Sequence, residues 1–168
     1  MTLSTFRFKL IIRHATFFAI TLFLTACSMD ENTAKVSDDL TALRKIIKLP
    51  TDLTSGRWEI FGTPEYTGGV PGPTDYMTLV AEIKVPAGSN GFPTNSDNGS
   101  AYIVPEAARP WISREFRSIL EKHKNSTLDL AGTKTCHPYL AKLTQTDNPV
   151  SGFACTTSDR VFLYLSLL

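Results

Sequence analysis

Histidines and nearby carboxylates are the residues of this chain that could most readily perform acid–base chemistry. Of the three histidines, His14 lies in an N-terminal apolar stretch, His123 on the apolar side of a predicted helix and His137 in a predicted strand. His137 could act as a general base if Asp129 or Asp159 oriented it, because histidine titrates near neutral pH. Nothing in the sequence shows such a pairing. A cation is favoured near a helix C-terminus, which suits His123, and we interpret both His123 and His137 as structural.

Two polar motifs are similar to known signatures but lack essential parts. Ser96-Asp97-Asn98 matches one motif of serine β-lactamases and penicillin-binding proteins, yet the Ser-x-x-Lys and Lys-Thr-Gly motifs that those enzymes also need are absent. Counted as a calcium loop from Asn95, the same segment has Glu106 at position 12 but Ser100 where position 6 requires glycine. We therefore expect neither a serine hydrolase of that class nor a metal site.

Two pairs of carboxylates, Asp75 with Glu82 and Glu59 with Glu65, could in principle share a proton-transfer role. Glu59 and Glu82 lie in segments that alternate polar and apolar residues, so we interpret them as solvent-facing strand residues. No Gly-x-Ser-x-Gly, His-Glu-x-x-His, P-loop or dinucleotide-binding fingerprint occurs. The sequence thus predicts no catalytic residue and no cofactor.

The N-terminal segment has the features of a secretory signal. Arg7, Lys9 and Arg13 precede an apolar run over residues 15–26. At ~1.5 Å per residue this run is ~18 Å long, too short for a hydrocarbon core of ~30 Å. A basic start, a short apolar core and small residues before a cleavage site are typical of a signal peptide. Leu24-Thr25-Ala26-Cys27 moreover resembles the lipobox of bacterial lipoproteins.

The lipobox resemblance implies a cleaved and lipid-anchored protein. In that family the cysteine, here Cys27, is acylated with fatty acids such as palmitate and becomes the new N-terminus. Asp after the cysteine holds such proteins at the inner membrane; Ser28 stands there, which implies the outer membrane, facing the periplasm. Several acyl chains at ~0.8 kcal/mol per buried CH₂ give stable anchoring. We expect a signal peptide at 1–26, a tether at 27–36 and one domain at 37–168.

Cleavage changes the charge of the chain and leaves two cysteines, Cys136 and Cys155. Removing residues 1–26 from the 168 leaves 142 residues, which is enough for one domain with a sizeable core. The segment removed holds three of the seventeen basic residues and none of the sixteen acidic ones, so the net charge becomes −2. There is no basic patch, and nucleic acid is not an expected partner. The periplasm is oxidising, and a turn at residues 146–149 places the cysteines opposite each other, which predicts a Cys136–Cys155 disulfide.

The hydrophobic pattern predicts an α+β fold: a mainly antiparallel sheet with two helices packed on one face and one disulfide. The first helix is expected over residues 38–48, with Ser37 as N-cap, and the second from Pro110 through Lys124. The strands are expected over residues 57–61, 76–85, 101–104, 135–144, 151–155 and 161–168, with a further short one over 127–131. The last strand is apolar on both faces and should be central. The expected order is α-β-β-β-α-β-β-β.

Two long loops, residues 62–75 and 86–100, are the candidates for binding a partner, because structureless segments of this length are uncommon and often functional. The first is rich in glycine and proline, and tyrosine offers contact area at low entropic cost. Its candidate partner-binding residues are Glu65, Tyr66, Val70, Asp75 and Tyr76. If the strands that the loops join are neighbours, the loops leave opposite ends of the sheet and do not share a site.

These observations favour a membrane-anchored periplasmic lipoprotein that is a non-catalytic, protein-binding or inhibitor module, such as an immunity-like protein that neutralises a toxin or enzyme in the envelope. Its partners would be the membrane, through the lipid on Cys27, and an envelope protein. Two alternatives stay open. One is a structural or assembly lipoprotein of an envelope complex. The other is an envelope hydrolase that uses His137 with a nearby carboxylate.

Overall fold

The computed structural model of the chain describes residues 36–50, 53–63, 76–86, 92 and 99–167. The expected signal peptide and almost all of the tether lie outside these residues. The described part belongs to one unit, Ala34–Leu168. Its helices are α1 (Leu40–Ile46) and α2 (Arg114–Lys122), and its strands are β1 (Ser55–Thr63), β2 (Tyr76–Lys84), β3 (Ser100–Ile103), β4 (Ser126–Asp129), β5 (Cys136–Lys142), β6 (Pro149–Thr156) and β7 (Arg160–Ser166).

The strands form an antiparallel sheet of five strands, in the order β1-β2-β7-β6-β5, and a separate pair, β3-β4. This confirms an α+β fold with a mainly antiparallel sheet. The short strand expected at 127–131 is real and pairs with β3, so four strands rather than three follow α2.

The last strand of the chain, β7, lies at the centre of the five-stranded sheet, as its sequence predicts. Every residue from Val161 to Leu165 is buried. Because successive side chains of a strand point to opposite faces, β7 presents Phe162 and Tyr164 to one face and Leu163 to the other. We call the face that carries Phe162 and Tyr164 the tyrosine face and the other one the leucine face.

The two helices do not pack together on one face of the sheet, in contrast to the prediction. Leu43 of α1 belongs to the apolar cluster that contains Leu163, on the leucine face. Phe116 of α2 belongs to the cluster that contains Phe162 and Tyr164, and its ring stacks on Phe162 with centroids 5.4 Å apart. The physical reason lies in β7: a central strand that is apolar on both faces needs a covering layer on each.

The N-cap of α1 is Asp39 rather than the expected Ser37. The Asp39 carboxylate accepts hydrogen bonds from the backbone N–H groups of Thr41 and Ala42, at 2.8 and 3.0 Å. Ser37 instead exchanges two backbone hydrogen bonds of 2.8 Å with Trp58 and so pairs with the outer edge of β1. The segment before α1 is therefore attached to the sheet.

The disulfide between Cys136 and Cys155 is present, as predicted. The two cysteines are opposite each other in the β5–β6 hairpin, with Cα atoms 3.9 Å apart. Both side chains are buried in the cluster that contains Phe162. Asp147 adopts a φ of 60° in the turn of this hairpin, a conformation that Asp tolerates better than most residues. The disulfide thus closes the hairpin beneath the layer that covers the tyrosine face.

Candidate functional site

Strand β3 crosses the tyrosine face instead of joining the main sheet. At one end Gly99 lies so close to β5 that an added Cβ would meet Cγ of Pro138 at 2.9 Å. Further along, the Tyr164 hydroxyl of β7 donates to the carbonyl oxygen of Tyr102 (2.8 Å) and accepts from the N–H of Val104 (3.1 Å). The chain thus passes from the β5 edge across the centre of the sheet, and a larger residue in place of Gly99 would require Pro138 to shift.

Beside β3 the described residues form a groove of about 890 Å³, which we call the tyrosine groove. Strand β3 borders it, since Ser100, Ala101 and Tyr102 line it whereas no residue of β4 does. Its other lining residues come from the strand ends and adjoining segments: Thr63, Tyr76, Thr78, Gly99, Val104, Leu130, Pro138, Tyr139, Leu140, Ser151, Gly152, Tyr164 and Ser166. Sites for small ligands and peptides have similar volumes and a largely apolar lining.

Hydroxyl groups cross the groove at the strand ends. Thr78 of β2 is opposite Ser166 of β7, and Ser166 is in turn opposite Ser151 of β6. The three side chains share the tyrosine face because they occupy facing positions of neighbouring strands. Leu140 continues the same row on β5, opposite Ser151. Thr78 is buried and hydrogen-bonds with Tyr164, whereas Ser151 is exposed. An occupant of the groove would therefore meet the Ser151 hydroxyl beside the apolar side chain of Leu140.

The tyrosine groove collects the exposed apolar side chains of the described part of the chain. Tyr76, Tyr102 and Leu140 are 58%, 52% and 51% exposed, and all three line the groove. The other large apolar residue that is exposed among the described ones, Val36, is 39% exposed and does not line it. Exposed apolar side chains gathered in one place mark an interaction site more often than single ones do.

The groove also lacks charge: no Asp, Glu, Lys, Arg or His occurs among the sixteen described residues that line it. This is unusual, because a fifth of the residues of the chain are charged. The carboxylate of Glu106 accepts from the Thr63 hydroxyl at 3.2 Å behind this lining, so an anion placed here would lose water without gaining an ionic partner, which is unfavourable. The lining therefore favours an uncharged occupant.

The segment that follows β3 is attached to the sheet by a buried carboxylate, Glu59 of β1. One of its oxygens forms an ion pair with Arg109 at 2.9 Å and the other accepts from the indole N–H of Trp111 at 2.7 Å. The Arg109 guanidinium also lies 4.2 Å above the ring of Phe61. The interpretation of Glu59 as solvent-facing is wrong, since it is 3% exposed. Its partners, about fifty residues away in sequence, supply the cover.

Glu82, the other carboxylate expected to face solvent, is also largely covered, since its side chain is 11% exposed, and it too is engaged. It accepts from the backbone N–H of Ser113, just before α2, at 2.7 Å, and from Arg160 at 2.8 Å. The ion pair with Glu82 raises the pKa of Arg160. These residues line a second cavity of about 370 Å³. The carboxylate of Glu82 binds the backbone just before α2, so we interpret this cavity as structural.

Two buried tyrosines beside the groove, Tyr139 and Tyr164, have perturbed acidity. Burial raises the pKa of the Tyr139 phenol above its ordinary value. Burial also raises the pKa of Tyr164, although the hydrogen bonds with Val104 and Thr78 act in the opposite direction. Both phenols therefore stay neutral at about pH 7, Tyr164 on the tyrosine face and Tyr139 in the cluster of the leucine face.

Of the expected partner-binding residues, Tyr76 lies at the tyrosine groove. Glu65, Tyr66, Val70 and Asp75 lie outside the described residues, as does Cys27. The condition under which the two long loops would separate does not hold, because β2 pairs with β7 and not with β3. Instead, the described residues that flank both loops line one groove: Thr63 and Tyr76 for the first loop, Gly99 and Ser100 for the second.

Among the described residues, neither His123 nor His137 forms a side-chain hydrogen bond or ion pair with a carboxylate. His123 is the C-cap of α2, in agreement with its interpretation as a helix-terminal residue. His137 is opposite Ala154 in β5 and points to the leucine face. No hydrogen bond or ion pair joins it to Asp129, whose carboxylate accepts from the N–H of Ala131 at 3.0 Å, or to Asp159, which lies 3.7 Å from Arg160.

Sequence features that would have pointed to this groove were weak. Thr78, Ser151 and Ser166 are polar residues at the ends of strands, where hydroxyls are ordinary, and Tyr102 and Leu140 are single apolar residues. No local spacing connects them. Only the crossing of β3 over the sheet brings them together.

Comparisons with known proteins add no relative. No family model matches the chain, and no curated protein or solved structure is significantly similar to it. Among the described residues, no helix is long and apolar enough to span a membrane. Within the same residues, no group of His, Cys, Asp and Glu side chains is arranged to hold a metal ion.

Replacing Glu59 by Gln should destabilise the protein by about 3 kcal/mol, because breaking a buried ion pair leaves the other charge uncompensated. Chemical denaturation of wild type and variant measures the difference. Asp147→Asn is the matched control, because it removes a carboxylate that pairs with Lys48 and Lys142 at the exposed surface. The control should change stability little. Equal effects of both substitutions would contradict a special role of Glu59.

The free energy of unfolding should fall with rising pH on the alkaline side. The unfolded chain releases its phenolic protons near pH ~10, whereas Tyr139 and Tyr164 hold theirs to higher pH when folded. This contribution is therefore fully present below pH ~10 and is lost as the pH rises through the folded pKa values. Denaturation curves at pH ~9 and ~11 should differ less for Tyr139→Phe than for wild type. An identical difference in the two proteins would contradict burial of this phenol as the cause.

Proposed function

We propose that the chain is a membrane-anchored lipoprotein of the periplasm whose domain binds another envelope protein without catalysis, as an inhibitor or immunity-like module. The observation that carries the binding role is the tyrosine groove. Three exposed apolar residues, Tyr76, Tyr102 and Leu140, surround a concavity whose described lining has no charge. Aromatic side chains in such a setting are typical of the central residues of protein interfaces.

The anchoring role rests on the lipobox-like segment at Cys27 and its basic, apolar flank. Lipidation would fix the domain to the membrane, with the outer membrane implied by Ser28. The Cys136–Cys155 disulfide is consistent with this compartment, because such bonds form where the environment is oxidising. Neither feature depends on the groove, so anchoring and binding are separate parts of the proposal.

The two other functions gain less support. A role in assembling an envelope complex would use the same groove and differs only in the partner. A hydrolase based on His137 would need a carboxylate to orient the imidazole. In the described residues His137 has no such contact, and it lies on the face of the sheet opposite to the groove-lining row of Thr78, Ser166 and Ser151. We therefore favour binding.

The anchor is tested by changing Cys27 to Ser. In cells of the source bacterium, wild type should incorporate a palmitate analogue and sediment with the outer membrane. The variant should lose both the label and the membrane association. Met29→Leu is the control, since it changes a residue close to the cleavage site but leaves the lipobox and the disulfide intact. A Cys27→Ser variant that still carries the label would refute anchoring through this residue.

The binding role is tested by photo-crosslinking in intact cells. A benzophenone amino acid placed at Tyr102 or Leu140 should give one discrete adduct, the same from both positions, because both side chains border the groove. Placed at Val36, an exposed apolar residue outside the groove, it should not give that adduct. Absence of any adduct from the two groove positions, or the same adduct from all three, would argue against the groove as the binding site.

A further inference from the structure

We propose that the tyrosine groove takes an uncharged peptide segment of the partner in extended conformation, which adds as a third strand to the free edge of β3. This inference rests on the proposed protein-binding function and specifies the chemistry of the bound segment. It follows from which residues of β3 are hydrogen-bonded to β4, from the position of β3 along the groove and from the uncharged lining.

The hydrogen-bonding pattern of the β3–β4 pair determines which backbone groups of β3 point away from β4. The N–H of Leu130 donates to the carbonyl oxygen of Gly99 at 2.9 Å. In an antiparallel pair, hydrogen-bonded residues alternate with residues whose backbone groups point the other way. Gly99 and Ala101 therefore bond toward β4, whereas Ser100 and Tyr102 direct their N–H and C=O groups away from it. The Tyr102 carbonyl confirms this direction, because it accepts from the Tyr164 hydroxyl across the groove floor.

This geometry leaves part of the β3 edge without a partner among the described residues, since the Tyr164 hydroxyl binds the Tyr102 carbonyl and the N–H of Val104. Apart from the Tyr102 carbonyl, the outward groups are the N–H and C=O of Ser100 and the N–H of Tyr102, and none of them bonds to another described residue. Exposed edge groups of this kind are the template for adding a strand. A peptide residue opposite Ser100 would exchange two hydrogen bonds with it, and the carbonyl two residues away would accept from Tyr102.

The groove fits an extended chain beside that edge. The free groups extend from Ser100 to Tyr102, three residues that span ~10 Å at ~3.3 Å each, so a short extended segment of about three residues would cover them. Alternate side chains of that segment would point to the floor, where Ser151 offers an exposed hydroxyl and Leu140, opposite it, an apolar contact. The others would face outward beside the ring of Tyr102.

Charge and polarity restrict what can occupy the groove. A charged side chain pointing to the floor would find no counter-ion among the described lining residues. A lipid acyl chain would remove the exposed Ser151 hydroxyl and the three edge groups from water without offering hydrogen bonds to them. An uncharged peptide satisfies the edge with its own backbone, and this favours it over both.

The test uses the full-length chain in detergent micelles and peptides of known sequence. Seven-residue peptides without charged side chains are selected from a phage-displayed library, and the tightest binder is synthesised in three forms. One is unmodified, one has methylated backbone nitrogens at odd positions and one at even positions. A strand that bonds along one edge uses the N–H groups of alternate residues only. We therefore expect one methylation pattern to weaken binding at least about tenfold and the other to have little effect.

Protein variants locate the bound peptide. Tyr102→Ser and Leu140→Ser should weaken binding of the unmodified peptide, whereas Val36→Ser, the matched control outside the groove, should not. Recovery of no binder, equal loss from both methylation patterns, or displacement of the peptide by micellar fatty acid would each overturn strand addition. If crosslinks from Tyr102 persist in that case, the protein-binding function stands and only the extended mode is refuted. If the crosslinks are absent, the function itself fails.

Discussion

The burial of β7 on both faces is the constraint on which the rest of the structure depends. Five consecutive residues, Val161 to Leu165, are buried at the centre of the sheet, and burial of apolar surface is worth roughly 25 cal/mol per Å². A strand apolar on one face would need one covering layer, whereas this one needs two. Helix α1 supplies the layer on the leucine face, and α2 with the β3–β4 pair supplies the other.

The layer on the tyrosine face is held by polar contacts as well as by apolar packing, and these contacts decide where it ends. Glu59 holds the segment of Arg109 and Trp111 at one side. The Tyr164 hydroxyl holds Tyr102 and Val104 over the centre. Both are buried groups that are stable only with their hydrogen-bond partners in place. The layer is therefore fixed over the middle of the sheet and stops short of the strand ends, where the groove begins.

The sequence was sufficient for features that depend on local pattern and insufficient for those that depend on contacts across the chain. The bounds of a strand such as β2 can be predicted to within a residue, because the alternation of core-facing apolar residues with residues of the other face is visible in consecutive residues. The cysteine pair followed from a turn between its members. The burial of Glu59 depends on Arg109, and the opposite placement of α1 and α2 depends on which face each apolar stripe meets. No spacing within one segment contains that information.

The same distinction explains why the candidate site was only half visible. The sequence indicates Tyr76 as a candidate partner-binding residue because it ends a long loop, and Tyr76 does line the groove. Its partners in the groove belong to β3, β5 and β6, and they meet it because β3 crosses the sheet rather than extending it. A helix or strand can be inferred from its own residues, whereas a groove between layers requires the topology. Here the double-sided burial of β7 requires a covering layer on the tyrosine face, and the crossing of β3 within that layer borders the groove.

The strand edges differ in how they are blocked against pairing with another chain. This difference supports the proposal that a peptide strand binds in the groove. The β1 edge is bonded to the segment of Ser37 at Trp58. The β5 edge carries Pro138, which has no N–H to offer, and its Lys142 carbonyl accepts from the N–H of Lys48. Proteins commonly block edges in these ways, because an open edge invites pairing with another chain. On the groove-facing edge of β3, the Tyr164 hydroxyl binds the Tyr102 carbonyl and the N–H of Val104, whereas no described residue blocks the stretch from Ser100 to the N–H of Tyr102, which has uncharged, partly apolar side chains beside it. An edge left open in that setting is suited to pairing, and the uncharged lining limits what can pair with it.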